Sequence, residues 1–118
     1  MCVDNFKFER VNDVGVFYLS GDIDEEYARK FFEEAKSYIE NESPNLIVDM
    51  GDVNFISTHG IAALFTLSVN CKDKRGRFII ANLNKKISEI IKAVGIPEVI
   101  EMCSTVEEAI SIIRGDNG

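Results

Sequence analysis

The residues with the greatest chemical capacity in this chain stand side by side. Ser57 and Thr58 are adjacent hydroxyls, His59 is the only imidazole, and Gly60 follows. They sit within Val53-Asn54-Phe55-Ile56-Ser57-Thr58-His59-Gly60-Ile61-Ala62-Ala63, where a buried strand gives way to a buried helix. The first turn of a helix leaves backbone N–H groups without intrahelical acceptors and carries partial positive charge. A hydroxyl there has two uses. It can cap the helix, or it can carry a phosphate, which the same N–H groups favour. A second polar turn, Gly21-Asp22-Ile23-Asp24, also precedes a helix, and Asp22 or Asp24 can cap it. His59 reads as a partly exposed first-turn residue, since a catalytic role needs a partner that the sequence does not identify.

Other chemistries are poorly supplied. One histidine and three cysteines, Cys2, Cys71 and Cys103, spread without a C-x-x-C pair, give no metal-ligand spacing and no disulfide framework. Cys71 and Cys103 have apolar neighbours and read as small core residues. No glycine-rich phosphate cradle is present, so no cofactor is expected. A net charge of −7 disfavours nucleic acid as a partner. The cations of Lys72, Lys74, Arg75 and Arg77 cluster where a helix ends, which suits its carbonyl-rich terminus. No apolar run reaches the roughly 20 residues that a bilayer crossing needs. Met1 to Asn5 lacks the pattern of a secretory leader, so the expected location is cytoplasmic.

The length, 118 residues, fits one domain, expected over residues 1–113 with a frayed tail at 114–118. Phe6 to Val11 and Val14 to Ser20 are short apolar runs parted by Asn12-Asp13, a hairpin signal. Ala28, Phe31, Phe32, Ala35, Tyr38 and Ile39 mark one helix face. Leu46-Ile47-Val48 and Phe78-Ile79-Ile80-Ala81 read as strands covered on both sides, with Asp49 and Asp52 in the loop leaving the first. Ile61 to Cys71 is apolar around most of its circumference, which predicts a largely buried helix. It should end at Gly76 in the left-handed conformation. Ile87, Ile90, Ile91 and Val94 form another helical stripe, stopped by Gly95 and Pro97. A short strand is expected at Val99 and Ile100. Ser104-Thr105-Val106-Glu107-Glu108 then offers two overlapping capping boxes before a last helix. The order predicts an α/β fold, a mixed sheet of four to five strands opened by an antiparallel hairpin, with about four helices. Both polar turns leave strand ends, the natural place for a shared functional surface.

With these residues placed, the sequence resembles the STAS domains, and among them the bacterial anti-sigma factor antagonists. Three stretches carry the likeness. Gly21-Asp22-Ile23-Asp24 resembles the family's Gly-acid-aliphatic-Asp turn. Ile47 through Asp49-Met50-Gly51-Asp52 to Ser57-Thr58-His59-Gly60-Ile61 resembles its strand, loop and Asp-Ser-Ser/Thr-Gly-Leu segment. Ile87 to Gly95-Ile96, with Val99 and Thr105-Val106-Glu107-Glu108-Ala109, resembles its C-terminal third. The likeness spans about Phe6 to Ile113. It implies a non-enzymatic regulator that binds an anti-sigma factor acting as a serine/threonine kinase, releasing a sigma factor. Phosphorylation would break the complex and a serine phosphatase would restore it. ATP and Mg²⁺ would belong to the kinase. The phosphoacceptor position falls on Thr58, with Ser57 as second choice. Ser57 stands where the family has Asp, and His59 where it has a second hydroxyl. The partner surface would comprise Asp22, Asp24, Ser57, Thr58, His59 and Gly60.

Two other readings share the pattern. One is the same fold without the switch, as a scaffold or small-ligand sensor. The other is a phosphoaspartate receiver with Asp49 as acceptor, although the opening hairpin, the absent acidic pair after the first strand and the absent late lysine disfavour it.

Overall fold

The structure is a computed structural model that describes residues 6–95 and 99–115. Cys2, the segment read for a leader, Pro97 and the tail after Gly115 lie outside that range. β1 (Phe6–Val11) and β2 (Val14–Ile23) form the expected hairpin, with Val11 opposite Val14. Asn12 makes the turn at φ 58°, a conformation that Asn tolerates better than most residues. Then follow α1 (Glu25–Asn41), β3 (Asn45–Ile56), α2 (Thr58–Asp73), β4 (Phe78–Ala81), α3 (Lys85–Ala93), β5 (Glu101–Cys103) and α4 (Val106–Arg114). The sheet order is β1-β2-β3-β4-β5, antiparallel in the first pair and parallel thereafter. Among the described residues the fold is therefore the mixed sheet with four helices that the sequence predicts.

Alternation along the strands divides the core into two layers. Phe17, Leu19, Val48, Met50 and Ile80 face the layer of α1, α2 and α3, against Phe31, Leu67 and Ile87. Val14, Val16, Ile47 and Ile79 face the other way, against Val106 and Ala109 of α4. Central strands covered on both faces have no polar side, which is why they read as unbroken apolar runs.

Several expectations need correction. Asp49 and Asp52 are not in a loop: β3 runs for 12 residues and contains both. Asp49 is tolerated because its Oδ1 accepts the Gly51 N–H at 2.9 Å and the Asn82 amide at 3.4 Å. This mid-strand position, and a sheet in which β1 is an antiparallel edge instead of the 2-1-3-4-5 order of receiver folds, removes the phosphoaspartate reading. α2 is buried on one side only. Ala63, Leu64, Leu67 and Cys71 face inward while Ala62, Thr66 and Val69 are exposed, because among the described residues no element covers its outer face. Its left-handed terminal residue is Arg75, φ 63°, not Gly76. Gly76 donates its N–H to the Cys71 carbonyl at 2.7 Å and must lack a Cβ, which would strike the Pro44 carbonyl. The last strand falls at Glu101–Cys103, two residues later than expected. Of the two capping boxes Thr105 supplies the cap, accepting the Glu108 N–H at 3.0 Å. α4 ends at Arg114, followed by Gly115 at φ 75°.

Candidate functional site

β2 and β3 are parallel and finish together, which brings the two polar turns to one edge. Asp22 lies opposite Phe55 and Ile23 opposite Ile56, and the Ser57 N–H reaches the Ile23 carbonyl at 2.9 Å. The stretch read as a polar turn is mostly strand, since β2 runs through Ile23, and Gly21, at φ 76°, sits within it at a break in register. Beyond it, Asp24 caps α1, its Oδ1 accepting the Tyr27 N–H at 2.9 Å. Asp22 is exposed at the strand end and Glu25 and Glu26 occupy the first turn of α1, so this side of the site is acidic.

The two hydroxyls have different tasks. Ser57 is the N-cap of α2, its Oγ accepting the Gly60 N–H at 3.2 Å. Thr58 is the first helical residue, is exposed, and takes no part in the cap. His59 is also exposed, its Nε2 lying 3.7 Å from Oε2 of Glu25 across the α1–α2 interface. Gly60 is buried: a Cβ there would lie 2.7 Å from Cγ1 of Ile56 and 2.9 Å from Cγ2 of Ile23. It lets α2 start directly against the strand ends, and its N–H serves the cap. Asp22, Asp24, Ser57, Thr58 and His59 thus share one rim, with Gly60 beneath it.

Chemically, the rim offers an exposed hydroxyl, an imidazole and carboxylates at the start of two helices. Among the described residues no group of three or more His, Cys, Asp or Glu side chains could hold a metal ion. The Cys71 thiol is pushed up to about 12 by burial, which keeps it protonated and inert. Cys103 is raised too, first by burial and then by Glu108, and its Sγ lies 3.2 Å from the Thr105 carbonyl.

Sequence reasoning passed over two features here. Phe55 has half its surface exposed (49%) beside Asp22. Its apolar neighbours suggest a core strand, but register shifts along β2 and β3 reset the alternation. Val53 and Ile56 both turn inward and Phe55 turns out. A groove of about 320 Å³ also runs between α1 and α2, floored by Ala28, Phe32 and Ala63 and bordered by Glu25 and His59. Only the pairing of two helices creates it, so no single stretch of sequence announces it.

A five-stranded mixed sheet with this strand order, and an acidic strand end beside a hydroxyl-bearing helix start, define a small α/β class. The model of the STAS domain family matches residues 5–109, and the chain belongs to that family. Its fold is similar to an anti-sigma factor antagonist from Mycobacterium paratuberculosis, at TM-score 0.82 and 20% identity over 92% of each chain. It is also similar to the anti-sigma factor antagonist SpoIIAA in its unphosphorylated form, at TM-score 0.76 and 20% identity, covering 93% of this chain and 98% of that one. The phosphorylated form of Bacillus SpoIIAA matches at TM-score 0.74 and 19% identity, over 92% and 99%. No curated protein matches by sequence. Among the described residues no helix is long and apolar enough to cross a membrane.

Proposed function

We propose that this protein is an anti-sigma factor antagonist that binds a kinase-type anti-sigma factor, frees a sigma factor, and is switched off by phosphorylation of Thr58. The observation that carries the reading is the division of labour at the start of α2. Ser57 holds the cap, and Thr58 is left exposed in the first turn, where backbone N–H groups and the helix dipole favour a phosphate. The partner surface is the rim of Asp22, Asp24, Ser57, Thr58 and His59, continued by Phe55 and by the exposed face of α2 at Ala62, Thr66 and Val69. The protein works as a regulated binding module in the cytoplasm. ATP and Mg²⁺ stay with the kinase, and a serine phosphatase resets the switch.

Phosphorylation adds about −1.5 to −2 charges. The fold accommodates them at a helix N-terminus, whereas a partner surface matched to a neutral hydroxyl meets repulsion and a desolvation cost. Thr58→Asp is therefore expected to fold normally and to bind the anti-sigma factor weakly. Titration of both proteins against that kinase, with mass spectrometry after kinase and ATP treatment, is the test. Equal affinity, or modification at Ser57 instead, defeats the reading. Binding with no modification at either residue favours the unswitched scaffold or ligand sensor, for which the α1–α2 groove offers a site.

A further inference from the structure

We propose that the outer edge of β1 is a self-association surface, pairing antiparallel with β1 of a second copy about a two-fold axis at Phe8. β1 is the six-residue edge of the sheet, and among the described residues no strand pairs with its outer side. The opposite edge, β5, has three residues. An unpaired edge is a template for another strand, and charged side chains on it normally keep copies apart. Here the charges run Lys7-Phe8-Glu9, a pattern that complements itself when reversed. With Phe8 opposite Phe8 of the second copy, each Lys7 faces a Glu9 on the same face of the sheet. Centring the pair on residue 7 or residue 9 instead sets like charge against like. The pattern thus selects one register.

The groups are already placed for this pairing. Tyr18 donates its hydroxyl to Oε1 of Glu9 at 2.9 Å, which holds that carboxylate on the face shared with α4. Phe8 lies on the other face against Phe17 and Tyr38, with ring centroids at 4.8 and 5.2 Å, yet keeps 44% of its surface exposed. Beside it an unfilled groove of about 240 Å³ is lined by Phe8, Phe17 and Tyr38, with Glu34, Ser37 and Glu42 among its polar border. A second Phe8 ring enters that groove from across the axis. The association joins two sheets into one and, because β2 runs in opposite directions in the two copies, sets the two Thr58 rims at opposite edges of it.

Sedimentation velocity of the full chain, from micromolar to near-millimolar concentration, tests the proposal. The expected result is a reversible monomer–dimer equilibrium, with amide exchange along β1 slowing as concentration rises. Lys7→Glu and Glu9→Lys each turn two symmetry-related attractions into repulsions, so each alone should weaken the dimer about tenfold or more. Mixing the two substituted chains should restore it as a heterodimer, since every facing pair is then of opposite charge. Phe8→Ser, at an exposed ring, should keep the monomer folded by circular dichroism and remove the concentration-dependent protection. A monomer at every concentration overturns the proposal. So does a dimer indifferent to the charge reversals, or a mixture no tighter than its components.

Discussion

The separation of the two hydroxyls at the start of α2 can be measured directly. Ser57→Ala removes an acceptor 3.2 Å from the Gly60 N–H and leaves that buried residue's amide without its cap. Loss of a serine cap costs about 1 kcal/mol. Thr58→Ala removes an exposed hydroxyl that caps nothing, and a surface change of that kind stays within about 0.5 kcal/mol. For a domain of this size the first change should lower Tm by roughly 3–6 °C. With a urea m-value of roughly 1.5 kcal/mol/M, the midpoint should fall by roughly 0.7 M. The second change should move neither. Phosphate incorporation by the cognate kinase should show the reverse pattern, lost in Thr58→Ala and kept in Ser57→Ala. Urea unfolding with kinase assays on the same preparations decides the matter. A Thr58→Ala protein as destabilised as Ser57→Ala would show that Thr58 is structural, and the acceptor reading would lose its basis.

Asp22→Asn and Asp24→Asn should leave stability unchanged, since Asn caps as well as Asp, yet slow association with the kinase in low salt, an effect that shrinks as salt rises; stopped-flow binding across a salt series reads this, and unchanged kinetics would confine both residues to structure. Gly60→Ala gains about 1 kcal/mol of helix propensity but forces a Cβ against Ile56 and Ile23, an overpacking cost of about 1–3 kcal/mol, so a net loss of about 1 kcal/mol is expected in urea unfolding. A more stable Gly60→Ala would mean that α2 can move away from the strand ends. Cys71 titrates near 12 when folded, above an unfolded thiol near 8.5, so the unfolded chain loses its proton first as pH rises. Its contribution to stability should be complete below about pH 8 and decline toward pH 12. Unfolding curves over that range should show a steeper alkaline decline in wild type than in Cys71→Ala.

Most of the framework is legible in the sequence because it depends on local periodicity. The hairpin at Asn12-Asp13, the stripe from Ala28 to Ile39 and the doubly covered strands at Leu46–Val48 and Phe78–Ala81 follow from spacing alone. The failures arise where tertiary partners decide. Asp49 looks like a loop residue until Asn82 and the Gly51 amide satisfy its carboxylate within β3. Ile61 to Cys71 looks largely buried because composition cannot say that one side of α2 has no neighbour among the described residues. Gly76 looks like a left-handed terminator, whereas Pro44, 32 positions earlier, is what demands a glycine. At the site, adjacency of the two polar turns follows from parallel strand order. The division between Ser57 as cap and Thr58 as free hydroxyl turns on where the helix begins, a one-residue matter that pattern cannot fix. Phe55 is hidden by the register shifts that reverse its facing.

The bond from the Ser57 amide to the Ile23 carbonyl has a wider consequence. It ties the start of α2 to a neighbouring strand, so Thr58 rides on the frame of the sheet and not on a hinged loop. On the proposed reading, a group attached there has no flap to order and no segment to melt, and the molecule would carry its message as surface potential in place of shape. The receiving surface must then do all the discriminating, because a ligand can only distinguish two states through a difference in interaction energy with each. Such a signal has no conformational lag. Its speed would be set by the proposed kinase and phosphatase, and its strength could be tuned by changing charges on the reader alone.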